Sequence, residues 1–250
     1  MTKENTGNSV WESPLRSPIL KDNEIHVWRA NLELSLPKIE RLTALLSSDE
    51  IARANRFRFP QHKRRFIVAR GILRQLLGNY LTVAPRSLNF TYEPRGKPLL
   101  TKVKNTALEF NISHSQEYAL FGFTRRHLIG VDLEYRRSMP DCLKIAQRFF
   151  SAKEFKMLKD VAEDERAKLF FQFWTAKEAY LKALGTGLSG SLASVEIAFD
   201  LHQYPYIRRL ESEKKIDWSL YPCTPAKDYL GAIAVNTSLS DSQIFFWHWQ

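Results

Sequence analysis

The chain has 250 residues, of which 44% are hydrophobic and 26% charged, enough to bury a sizeable core without disulfide or metal staples. Its 37 Lys and Arg against 27 Asp and Glu leave a formal charge of +10, which calls for an anionic partner: nucleic acid, a membrane surface, a phosphorylated cofactor or an acidic protein. The polar N-terminus lacks a signal-peptide core, no stretch reaches the roughly 18 apolar residues of a membrane span, and the two cysteines, Cys142 and Cys223, match no metal or redox spacing. A soluble cytoplasmic protein with structural thiols is expected.

Residues 1–22 are polar, carry two prolines and read as a loosely packed lead-in. Residues 24–34 (EIHVWRANLEL) alternate well enough for a strand. From Leu36 to about Leu81 the periodicity is helical, with an interruption near Pro60. Within it, Arg53, Arg56, Arg58, Lys63, Arg64, Arg65, Arg70 and Arg74 stand without any Asp or Glu between the first and the last. Residues 90–100 (FTYEPRGKPLL) have the signature of a hairpin, two apolar runs around Pro-Arg-Gly-Lys-Pro. Three strand candidates follow in ALEFNISHS, YALFGFT and HLIGVDLEY.

The second half opens with Ser151-Ala-Lys-Glu154, a capping box that starts a helix. A further helix is predicted from about Glu163 to Leu184, ended by Gly185 and Gly187, with Leu169, Phe173, Ala176, Tyr180 and Leu184 on its core stripe. Strands are expected at 195–199, 218–221, 229–235 and 242–249. Helices and strands grouped in runs indicate an α+β fold rather than a doubly wound α/β one.

Chemistry concentrates in a few places. In HLIGVDLEY, alternation puts Ile129, Val131, Leu133 and Tyr135 on one face and Gly130, Asp132 and Glu134 on the other. Two carboxylates on one strand face suit a hard cation, and they equally suit a solvated acidic face. Glu178 and Lys182 are four apart on the predicted helix, in the order that gives a surface ion pair of roughly 0.2–0.5 kcal/mol. If Glu178 met Asp132 and Glu134, three carboxylates would surround one Mg²⁺ and Lys182 would reach a bound phosphate. Arg95 and Lys97 sit on the hairpin turn, where Gly96 lets backbone approach a ligand. Ser113 and His114 either hold a phosphate or, for His114, serve a structural role. As neighbours on a strand they point to opposite faces, which makes a nucleophile–base pair a poor reading.

Taken together, R-G-K-P (95–98), N-I-S-H-S (111–115), I-G-V-D-L-E (129–134) and F-W-T-A-K-E-A-Y-L-K (173–182) resemble, in order and spacing, the signature of the 4′-phosphopantetheinyl transferases. The longer chain is similar to the surfactin-synthetase-activating type and to cyanobacterial members. The resemblance spans roughly residues 53–190. It implies transfer of the phosphopantetheine arm of coenzyme A to a serine of an apo acyl or peptidyl carrier protein, with release of adenosine 3′,5′-bisphosphate. It also implies a pseudo-dimer of two similar α+β halves, 1–127 and 128–250, with the active site between them.

Carried over by motif, Asp132, Glu134 and Glu178 look like the Mg²⁺ ligands, and Lys182 like the lysine on the reacting phosphate. Glu178 has a possible role as base, although a metal and Lys182 nearby would lower its pKa; a metal-bound water is the other candidate. Ser113, His114, Lys97 and Arg65 resemble contacts to the coenzyme phosphates, with Arg95 and Lys177 as looser members. The partners so implied are coenzyme A and a small, helical, acidic carrier protein, met by a monomer without nucleic acid or membrane. Two other classes remain open on the residues alone. One is a metal-dependent phosphoesterase. The other is a basic nucleic-acid-binding protein with Phe57, Phe59 and Phe66 as stacking groups.

Overall fold

The computed structural model describes residues 9–93, 96–101, 107–185, 192–210, 218–237 and 244–250. The fold mixes helices and sheets, as expected. Its first part holds strand β1 (Ile25–Asn31), helices α1 (Leu36–Thr43), α2 (Ser48–Ala54) and α3 (Pro60–Leu81), then strands β2 (Asn89–Tyr92), β3 (Pro98–Thr101), β4 (Leu108–Ser115) and β5 (Tyr118–Arg125). The second holds β6 (Ile129–Tyr135), α4 (Cys142–Phe149), α5 (Ala152–Asp160), α6 (Glu163–Leu184), β7 (Val195–Phe199), β8 (Pro205–Leu210), β9 (Ser219–Cys223), β10 (Tyr229–Val235) and β11 (Ile244–His248).

Pro60 is the first residue of α3, where its missing N–H has no intrahelical partner to lose, so the interruption is a helix start. Helix α4 and strand β8 were not among the expected elements, although α4 has a clearly apolar face. The lead-in is tied down at Trp11, whose indole N–H donates to Thr224 O at 3.1 Å, and at Glu12, which bridges Trp247, while Val10, Leu15 and Ile19 stay exposed. Helix α6 is buried on most sides of its second half, and Leu184, expected in the core, is 39% exposed.

Two sheets dominate, one in the order β11-β1-β5-β4 and one in the order β6-β10-β9. Helix α3 covers the first, with Val68, Ile72, Leu73 and Leu77 against Trp28, Phe121 and Phe123. Helix α6 covers the second with Phe173, Ala176, Ala179 and Tyr180. A third cluster, including Val27, Leu120, Val131, Leu133 and Ile233, joins the sheets to each other. The last strand, β11, runs parallel to β1, so the end of the chain completes the first sheet. Strands β4 and β6 each end their own sheet. Among the described residues no helix is long and apolar enough to cross a membrane, and both cysteines are free and buried.

The last two arginines of the basic block turn inward. Glu50, three residues before it and wholly buried, takes Arg74 Nε at 2.7 Å and lies 3.5 Å from Arg70 Nε. Arg65 donates to Glu33 at 3.0 Å. These acids lie outside the counted stretch and meet it only through the fold.

One buried polar chain gives a pH dependence. His26, 1% exposed, has Nδ1 2.8 Å from the Tyr80 hydroxyl and Nε2 3.4 Å from Glu24. Burial pulls its pKa from the ordinary 6.5 to about 4, against the opposing pull of Glu24. Below pH 6.5 the unfolded chain protonates this residue while the folded chain does not. The stability it contributes is therefore full above pH 6.5 and falls towards pH 4, by about 3 kcal/mol at most. The wild-type urea midpoint is expected to drop across that window more steeply than that of His26→Gln; parallel curves would refute this.

Candidate active site

Helix α6 lies on β6 because Gly130 has no side chain. A Cβ there would stand 1.9 Å from Ala179 O and 2.5 Å from Ala183 N. The approach brings Lys182 to the strand. Its Nζ is 2.5 Å from Asp132 Oδ1 and 2.9 Å from Ser113 Oγ, and that hydroxyl donates to the same Asp132 oxygen at 3.0 Å. Asp132 is 4% exposed and Glu178 8%. The surface pair expected between Glu178 and Lys182 does not form, since the lysine reaches across to β6 instead.

Asp132 Oδ2 and Glu178 Oε1 are buried with no hydrogen-bond partner. Burial first, then the charges of Asp132 and Glu134 against the opposing Lys182, push the Glu178 carboxyl up to about 7. Burial and Asp132 likewise raise Glu134. The acids sense one another, so Glu178 sits above rather than below its ordinary value as the chain stands. Among the described residues, no three acidic, histidine or cysteine side chains form a ready-made metal cage.

Beside this cluster opens a cavity of about 560 Å³. Its lining includes Glu178, Lys182, Lys97, His114, Asn111, Arg53, Arg70, Phe57 and Phe66. Lys97 Nζ donates to Lys182 O at 3.1 Å, at the end of α6, where unpaired carbonyls attract a cation. Gly96 allows the turn with φ at 86°. Burial first, then the charges of Lys182, Arg65 and His62, hold the His114 pKa below its ordinary value.

The structure therefore brings together Lys97, His114, Glu178 and Lys182 on the cavity, with Asp132, Glu134 and Ser113 behind. It separates Ser113 from His114, which face opposite sides of β4 as strand geometry requires. Arg65 stays at the edge, bonded to Glu33 and Gln116. Arg95 lies outside the described residues. Lys177 is not brought to the site: it is wholly buried, with Nζ 2.8 Å from Glu154 and donating to Leu192 O and Val195 O. Its neighbour in sequence points to the cavity while it points away.

Arg53 and Arg70 were legible only as members of a basic run. Arg53 lies 5.2 Å from the Tyr92 ring and 5.5 Å from Phe66, and Arg70 lies 5.2 Å from Phe90, with Nη1 buried and unpartnered. Trp174 stacks on Phe170 at 5.7 Å within the core.

Two family models match the chain. One, described as the 4′-phosphopantetheinyl transferase superfamily, covers residues 128–234, and one described as 4′-phosphopantetheinyl transferase, N-terminal, covers 32–123. The chain is 42% identical over 231 residues to the 4′-phosphopantetheinyl transferase HetI of Nostoc sp., covering 92% of this chain and 94% of that one. It is 44% identical over 171 residues to a putative 4′-phosphopantetheinyl transferase of Synechocystis sp., covering 68% and 70%. A solved holo-(acyl-carrier-protein) synthase of Bacillus anthracis overlays 43% of this chain and 92% of its own, at 24% identity and a TM-score of 0.38.

Proposed function

The chain belongs to the 4′-phosphopantetheinyl transferase superfamily, and from that premise we propose how its own residues carry the transfer. Coenzyme A is the donor, and a serine hydroxyl of an apo carrier protein is the acceptor. The serine oxygen attacks the β-phosphorus, the pyrophosphate bond breaks, and adenosine 3′,5′-bisphosphate leaves. The observation that carries this reading is the cavity itself, which joins four cations, Arg53, Arg70, Lys97 and Lys182, to the buried carboxylate of Glu178. A pyrophosphate and a 3′-phosphate need several cations, and an incoming serine removes any need for a nucleophile in the enzyme. Lys182 is placed to stabilise charge on the phosphoryl oxygens as it develops.

Asp132, Glu134 and Glu178 would hold Mg²⁺. The fit rests on donor type and on two orphaned oxygens, since hard carboxylate ligands suit this ion and Asp132 Oδ2 and Glu178 Oε1 lack partners. Lys182 now occupies the other Asp132 oxygen and would share it. When bound, the ion would offset charge on the pyrophosphate. The Glu178 carboxylate oxygen that the ion leaves free is the acceptor this chain would offer to the serine proton. His114 and Lys97 would face the coenzyme phosphates, with Arg65 at the rim.

The two-half organisation, 1–127 and 128–250 with the site between, belongs to the same proposal. It is supported by a 22-residue helix on each of two sheets and by the meeting of β4 and β6, while β11 crosses the division to complete the first sheet. So do a monomeric state, a cytoplasmic setting and an acidic helical carrier, the last suited to the exposed Arg56, Arg58 and Lys63. The phosphoesterase and nucleic-acid readings find no favour in the family relationship.

The test is incubation with coenzyme A, Mg²⁺ and several apo carrier proteins, followed by mass spectrometry. The phosphopantetheinyl mass is expected on a carrier serine. Hydrolysis of coenzyme A without carrier modification would overturn the transfer reading.

A further inference from the structure

Strands β4 and β6 run side by side although neither belongs to the other's sheet. The edge of β6 turned towards β4 therefore has backbone N–H groups without a ladder partner, and buried donors of that kind must be satisfied somehow. Alternate side chains of β4 do it. Asn111 Oδ1 accepts from Val131 N at 3.0 Å, and Ser115 Oγ accepts from Tyr135 N at 3.0 Å. Those two bonds bracket Asp132 and Glu134.

The serines between and beyond then act on the carboxylates themselves. A serine hydroxyl has one proton and two lone pairs. Tyr135 N–H fills an acceptor position of Ser115, and its proton goes to Glu134 Oε2 at 3.2 Å. Ser113 repeats the arrangement, accepting from Lys182 and donating to Asp132. The other neighbour of Glu134 Oε2, Arg137, stands 3.8 Å away, half exposed, and fixes little.

We propose that Ser115 is a positioning residue, which orients the Glu134 carboxylate for the metal while tying it to the first sheet. The motif N-I-S-H-S then divides by strand alternation: Asn111, Ser113 and Ser115 bond to β6 or its acids, Ile112 and His114 line the cavity from the other face, and Asn111 reaches the cavity as well. This inference rests on the reading of Asp132, Glu134 and Glu178 as metal ligands, and the test separates the two.

Mn²⁺ is titrated into the full chain, with and without coenzyme A, and bound ion is read by electron paramagnetic resonance. Ser115→Ala is expected to weaken Mn²⁺ binding by about tenfold, the low end for loss of a partner behind a ligand. Ser115→Thr, which keeps the hydroxyl, is expected to restore it. The Mg²⁺ concentration for half-maximal turnover should rise in the alanine variant by the same factor, with the KM for coenzyme A unchanged. If Glu134→Gln weakens Mn²⁺ and Ser115→Ala does not, the positioning role is overturned and the ligand set stands. If the wild type binds no Mn²⁺ under either condition, the ligand set itself is overturned.

Discussion

Glu178→Gln is expected to lower carrier modification by about 10²–10⁴-fold at saturating Mg²⁺ and coenzyme A, the range for loss of a positioned acid–base group. The substitution keeps size and hydrogen-bonding length while removing the charge and half of the acceptor capacity. Glu178 is the acid that lines the cavity, its Oε1 is buried and unpartnered, and its pKa stands at about 7. That combination does nothing for stability: an unpaired buried carboxylate costs free energy, so the variant should be at least as stable as the wild type. Activity falling while the melting temperature holds or rises is the expected pair of results, read by a carrier-modification assay and thermal unfolding. Near-normal turnover would remove Glu178 from the mechanism. Equal loss of stability and activity would make it a structural residue.

The second large effect concerns stability. Glu154→Leu is expected to destabilise the fold by about 4 kcal/mol, because it strands a buried ammonium. For a chain of this length, that lowers the melting temperature by about 10 °C. Glu154 and Lys177 are both fully buried, 2.8 Å apart. The same carboxylate accepts from Ser151 N at 2.7 Å and from Ile197 N at 2.7 Å, so one residue caps α5, anchors β7 and neutralises α6. Burial presses the Lys177 pKa down, and Glu154 holds it up. Ser151→Ala loses only the hydroxyl side of the same cap and should cost about 1 kcal/mol. Urea unfolding of both variants decides the matter; similar losses for the two would mean that the cap, not the buried pair, carries the energy.

The contrast between those two acids shows how far the chain could be read without its fold. Ser151 and Glu154 announce a helix start by spacing alone, and the helix is there, yet nothing local says that Glu154 meets Lys177 from another helix. The motif resemblance groups Lys177, the neighbour of Glu178, loosely with the coenzyme contacts. On a helix, adjacent residues point about 100° apart, and packing sent one inward and one to the cavity. The basic run from Arg53 to Arg74 misled in a similar way. Local charge counting found no acid, while Glu50 and Glu33 pair with four of its arginines, Arg64, Arg65, Arg70 and Arg74, from outside the window.

The content of each element is local: alternation puts Asp132 and Glu134 on one face of β6, helical spacing puts Glu178 and Lys182 on one side of α6, and capping and glycine signals mark most boundaries. These follow from backbone periodicity, which acts within a few residues. Pairing across elements is a property of the closed fold. Gly130 admits α6 so closely that Lys182 leaves Glu178 for Asp132, and two sheet edges meet so that serines of β4 serve acids of β6. Those choices depend on which surfaces are buried against each other and on which donors are left unpaired, quantities that exist only once the chain has closed on itself.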